Sequence, residues 1–92
     1  AKKLACSKRF DAVVAVGTLI RGDTDHYGLI AGELSSGLGH VALESGVPVT
    51  FGVVTAENME QAMARSGCKS GNKGFEAAVA AIEMANVLAA LE

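Results

Sequence analysis

FDAVVAVG, residues 10–17, decides the fold. Val13, Val14 and Val16 follow one another with only alanine between them and no polar alternation. A strand with one wet face alternates apolar and polar side chains. A strand without that alternation is expected to be buried on both faces, as in a parallel sheet. A second run of the same kind, VPVTFGVVT, occupies residues 47–55, and Gly46 and Pro48 mark its beginning. Between the two runs the spacing predicts a helix over roughly 24–44. Tyr27, Ile30, Leu34, Leu38, Val41 and Ala42 recur every three or four positions and draw one apolar stripe. Asp23 or Thr24 can cap its first turn, where Asp25 also suits the helix dipole, and Gly46 ends it. The glycines at 28, 32, 37 and 39 each cost about 1 kcal/mol against alanine inside a helix. Their presence predicts close backbone packing against another element or subunit.

Beyond residue 55 a short helix is expected over 57–66, capped by Thr55 and ended by Gly67. A loop with Gly71, Asn72 and Gly74 follows, and then a long alanine-rich helix over 74–91. Phe75, Val79, Ile82, Met84, Val87, Leu88 and Leu91 spread around much of that helix, so it should meet the sheet on one side and a neighbour on another. The order β-α-β-α-α implies parallel strands joined by a right-handed crossover. Two strands make a poor sheet, so more are expected from further sequence or from partner chains. The expected class is α/β in one domain, residues 1–92: a three-layer α/β/α arrangement on a parallel sheet with a flavodoxin-like order of elements. The opening AKKLA, residues 1–5, reads as the tail of a helix that begins elsewhere.

Composition narrows the function. Of 92 residues half are apolar and a fifth charged, with a formal net charge of −2. That is a globular composition, without the basic face or aromatic platform of a nucleic-acid binder. No signal peptide is legible, and no uninterrupted apolar run approaches the ~20 residues that span a bilayer. Cys6 and Cys68 have no ligand spacing and read as reduced thiols in a cytoplasmic setting. Two histidines 14 positions apart and two distant cysteines do not form a tetrahedral metal set.

GTLIRGDTDHYG, residues 17–28, carries the chemistry. A buried strand ends there and a helix begins. Ligands of open α/β sheets bind beyond the carboxyl ends of the strands, and a helix N-terminus offers free N–H groups to an anion. A phosphate there would meet the backbone of Asp23 and Thr24 and the Thr24 hydroxyl. His26, in the first turn, can pass protons near neutral pH, although a lone histidine is ordinarily a surface side chain. His40 has no site beside it. In RSGCKSGNKG, residues 65–74, Arg65, Lys69 and Lys73 cluster, and Arg65 suits bidentate contact with phosphate. The string is not a nucleotide-binding P-loop: Gly67 and Gly71 are separated by three residues where four are needed, and Gly74 stands where Ser or Thr is required. Taken alone it is an ordinary glycine-rich connection. Glu76 and Glu83 share a helical face and read as solvated or interfacial.

Together, FDAVVAVGTLIRGDTDHY, SGVPVTFGVVTAENMEQAMARSG and KSGNKGFEAAVAAIEMANVL resemble lumazine synthases over nearly the whole chain. GxxIRGxTxH, GVPVxFGV, EQAxxRxG and GNKGxEAAxxxIEMAN stand in that family's order and spacing. The resemblance implies condensation of 5-amino-6-(D-ribitylamino)uracil with 3,4-dihydroxy-2-butanone 4-phosphate to 6,7-dimethyl-8-ribityllumazine, without a cofactor. It implies that His26 transfers protons, that Asp23, Thr24 and Arg65 hold the phosphate, and that Thr18, Leu19, Ile20 and Phe51 bind the uracil. Phe51 would act across a subunit boundary, with Lys73 near that site. It implies small-molecule substrates, a homo-oligomer built of pentamers and possible closure into icosahedral shells, with active sites shared between subunits and no nucleic-acid or membrane partner.

The resemblance implies N-terminal strands and helices of the family that are not recognised in residues 1–92. With them go the aromatic that stacks on the uracil and the Gly-x-x-Glu ribityl loop, so the chain corresponds to the C-terminal portion of the family. Two further readings follow. One is a non-catalytic assembly fragment, and the other is a related riboflavin synthase.

Overall fold

A computed structural model describes residues 1–22, 26–69 and 71–92. The elements are α1 (Lys2–Cys6), β1 (Val13–Ile20), α2 (His26–Ser45), β2 (Val49–Ala56), α3 (Met59–Arg65) and α4 (Lys73–Leu91). The chain is thus α/β, with β1 and β2 parallel and in register from Val13 beside Val49 to Ile20 beside Ala56.

Parallel pairing places register partners on one face. Val14, Val16, Thr18 and Ile20 therefore share a face with Thr50, Gly52, Val54 and Ala56. Helices α3 and α4 cover chiefly the β2 half of that face. The Thr50 hydroxyl donates to the Ala77 carbonyl at 2.8 Å, and Ile20 packs on a core cluster of Val54, Ala56 and Ala62. The side of α4 turned inward carries small residues: Ala77 and Ala81 are buried, and Gly74, Ala78 and Ala85 half-buried. Small side chains bring the helix axis close to the sheet. At Gly52 a Cβ would lie 3.0 Å from the Ala77 Cβ, 3.1 Å from the Ala15 carbonyl oxygen and 3.2 Å from Val16 Cγ1, so glycine is what permits this approach.

The expectation that both strands are buried on both faces holds for β2 and fails for β1. Val53, Val54 and Ala56 are buried, whereas in β1 only Val13 is, and Val16 is 69% exposed. The cause is position. Each strand has a partner on one side only, so the difference comes from the helices, and α4 lies principally over β2.

Helix boundaries moved for local reasons. Helix α2 ends at Ser45, and Gly46 takes a φ of +74° while its N–H donates to Ala42, as a glycine stop requires. The expected caps of α2, Asp23 and Thr24, lie outside the described residues. Its half-buried stripe runs through Tyr27, Ala31, Leu34, Leu38, Val41 and Ala42, with Ile30 exposed. The close packing expected at Gly28, Gly32, Gly37 and Gly39 is not met among the described residues, where a Cβ at each would find nothing within 4 Å. Thr55 does not cap α3, because it still belongs to β2. Asn58 does, its side chain accepting from the Gln61 N–H. Asn72 likewise caps α4 by accepting from the Phe75 N–H, which starts that helix at Lys73.

The outward side of α4 is apolar, with Phe75, Ile82 and Leu91 largely exposed. By length and hydropathy alone this 19-residue helix is apolar enough to cross a membrane. Sequence reading understated it, because Glu76 and Glu83 interrupt the apolar run. Those carboxylates and the buried Ala77 and Ala81 match a helix laid on a sheet. Helix α1 is tied to the end of α2 by Lys2 and Glu44 at 3.7 Å.

Candidate active site

The carboxyl ends of both strands lie together because the strands are parallel. The Arg21 N–H donates to the Ala56 carbonyl at 2.9 Å and extends the ladder one residue past β1. The chain then leaves the sheet through Gly22, and α2 begins at His26.

From the end of β2 the chain turns directly into α3. The Asn58 side chain satisfies the Gln61 N–H at 2.9 Å, and the Gln61 side chain reaches back to the Glu57 N–H, also at 2.9 Å. This reciprocal arrangement fixes the first turn of a helix only seven residues long. It thereby fixes where Arg65, the last residue of α3, emerges. Arg65 Nη1 donates to the Thr55 carbonyl at 2.6 Å, so its guanidinium is tethered at the carboxyl end of β2. Among the described residues its other N–H groups have no acceptor, which leaves them for a further one.

Arg65 faces a cavity of about 310 Å³, lined among the described residues by Val53, Val54, Thr55, Arg65, Gly71, Lys73 and Glu76. Residues of β2 thus share this cavity with two cations and a carboxylate. Lys73 is held there by the Asn72 cap at the start of α4. Two residues picked out from sequence, Arg65 and Lys73, thus share one cavity. Glu76, for which the sequence suggests solvent or an interface, lines the same cavity. It follows Lys73 by three positions on the same helix, a spacing that puts both on one face, and this was the signal available for it.

The remaining candidates are placed differently. Thr18 lies in a neighbouring hollow of about 220 Å³ with Val16, Gly52, Val54, Ser66 and Asn72. Ile20 is half-buried against the core cluster, while Leu19 points to the opposite face of β1. Phe51 is half-buried on β2, beside Ala15. His26 opens α2 and is exposed, and it does not line the Arg65 cavity. Asp23 and Thr24 lie outside the described residues. Cys6 and Cys68 are both free and exposed. Among the described residues no group of three His, Cys, Asp or Glu is placed to hold a metal ion.

A parallel α/β layer with a cationic cavity at its carboxyl end belongs to the broad class of α/β proteins that hold small ligands beyond their strand ends. Within that class the family is specific. The model of the 6,7-dimethyl-8-ribityllumazine synthase family matches residues 1–89, and the chain belongs to that family. The likeness starts at the first residue and covers nearly the whole chain. Family membership carries a role in riboflavin biosynthesis and, at the level of the family, a transferase activity.

Proposed function

We propose that this chain serves the condensation of 5-amino-6-(D-ribitylamino)uracil with 3,4-dihydroxy-2-butanone 4-phosphate, giving 6,7-dimethyl-8-ribityllumazine, phosphate and water. The observation that carries the reading is the pairing of Arg65 and Lys73 on one cavity at the carboxyl end of β2, in a chain of this family. Arg65 is tethered through one nitrogen, which leaves a preoriented donor set for the phosphate of the ketone. The backbone and hydroxyl of Thr24, with Asp23, would complete that grip. The uracil amine attacks the ketone carbonyl and an imine forms with loss of water. Phosphate leaves, and ring closure loses a second water. His26 moves the protons. Binding both substrates side by side removes translational and rotational freedom before the bond forms, and Arg65 stabilises the departing anion.

Thr18, Leu19 and Ile20 would border the uracil site. Phe51 would complete the site of a neighbouring subunit in a pentamer, with larger shells as a further possibility of assembly. The open side of β1 favours a second reading, an assembly unit that becomes active only once other strands or subunits are added.

The test is to mix both substrates with the protein and follow lumazine fluorescence. A rate above the uncatalysed background is expected. Arg65→Ala should raise the KM for the phosphorylated ketone at least tenfold, the scale of a lost charge-assisted contact, and His26→Ala should lower kcat. An unchanged ketone KM in Arg65→Ala would refute the phosphate assignment. Activity that appears only with added family N-terminal segments would select the second reading.

A further inference from the structure

The two halves of the proposed anion site follow the carboxyl ends of two different strands. Asp23, Thr24 and His26 follow β1, whereas Arg65 follows β2 through α3. Among the described residues a side-chain link joins the ends of the two strands. Arg21 Nη1 lies 3.4 Å from Glu57 Oε2. Arg21 is the last ladder residue before the first half, since its N–H bonds the Ala56 carbonyl. Glu57 is the residue next to the Asn58 cap, and its own N–H is held by the Gln61 side chain inside α3. Four residues on from Gln61, one helical turn, stands Arg65. Neither Arg21 nor Glu57 lines the Arg65 cavity.

The placement of a carboxylate here needs a reason. A negative charge beside an anion site weakens binding unless it does something else. We propose that Glu57 is a positioning residue: with Arg21 it forms a brace that holds the carboxyl end of β1 at a fixed spacing from α3 and Arg65. The inference rests on the anion-site reading above. Glu57 neutralises Arg21, so Arg21 does not compete with Arg65 as a landing point for phosphate. It also converts a two-strand edge into a closed link from β1 through Glu57 and Gln61 to Arg65. Both side chains are more than half exposed, so the link is a modest one.

The sign of one substitution separates a brace from a ligand. Were Arg21 itself an anion contact, Glu57→Ala would remove a competing carboxylate and tighten binding. A brace predicts the reverse. Inorganic phosphate is titrated into the full chain by calorimetry, alongside Arg21→Ala, Glu57→Ala, the double variant, the charge swap Arg21→Glu/Glu57→Arg, and Arg65→Ala. Glu57→Ala and Arg21→Ala should each weaken phosphate about threefold to fivefold, the scale of an exposed ion pair. The double variant should be no weaker than either single one, and the swap should return to within about twofold of the parent.

Tighter or unchanged binding in Glu57→Ala, additive losses, or no recovery in the swap would overturn the brace. Loss of binding in Arg65→Ala is the control for the anion site, and its failure refutes that site alone. A second readout stands apart from phosphate. Amide exchange in the peptides covering 20–30 and 57–66 should quicken in both segments on either single substitution. Quickening confined to the mutated segment overturns the brace whatever phosphate does.

Discussion

Strands β1 and β2 have nearly the same composition and different surroundings. Both are eight residues long, rich in valine and free of charge. Yet Val54 is 5% exposed and Val16 is 69% exposed. The two belong to the same face of the sheet, in adjacent strands. The difference therefore lies in what covers them. Helix α4, with small residues turned inward, lies over β2, and α3 closes over Val54 and Ala56. What the pair teaches is that an unalternating apolar strand records the environment its sequence is suited to, and this chain supplies that environment for one strand of the two.

Substitutions can break or sharpen this contrast. The largest loss is expected at Gly52, where helix and sheet come closest. Gly52→Val should destabilise by about 3 kcal/mol, the upper end of overpacking, because the opposing atoms at 3.0 and 3.1 Å are a short side chain and a backbone oxygen that cannot swing away. Thermal melting measures it, and a melting point within a degree or two of the parent would show that α4 is not seated as described. Val54→Ala should cost about 2 kcal/mol, from lost burial and the cavity left behind.

Next comes the cap of the covering helix. Asn72→Ala leaves the Phe75 N–H without its 3.0 Å acceptor and should cost about 1 kcal/mol. In urea its midpoint should fall between those of Val54→Ala and the parent. The smallest effect is expected at Val16→Ala, under about 0.5 kcal/mol for an exposed position. A loss at Val16 equal to that at Val54 would show β1 to be covered in solution by another strand or chain, and the contrast would then dissolve.

Much of this was legible in the sequence, and the gaps have physical causes. Runs 10–17 and 47–55 announced both strands, the stripe from Tyr27 to Ala42 announced α2, and Gly46 announced its end. The cap of α3, expected at Thr55, falls at Asn58 instead. Thr55 and Asn58 can each cap a helix, and the choice depended on how far β2 runs, which pairing with β1 decides. Burial of β1 was misread because apolar pattern reports affinity for a core, and whether the core is present depends on neighbours.

At the site, Arg65 and Lys73 could be named because a guanidinium and an amine in a glycine-rich connection suggest an anion. Their meeting on one cavity required the α3–α4 geometry. Glu76 was passed over because a carboxylate on an exposed helix face has the same local sequence whether it faces water or a pocket. Arg21 and Glu57, 36 positions apart in the chain, could be joined only once the strands were known to be parallel and in register.

The contact of Gly52 with Ala77 has a consequence for descent. The strand position cannot drift on its own: a methyl gained there demands at least a methyl surrendered on the helix. Among relatives, alanine at the first position should travel with glycine at the second, so that the pair mutates as a unit although 25 residues separate its members.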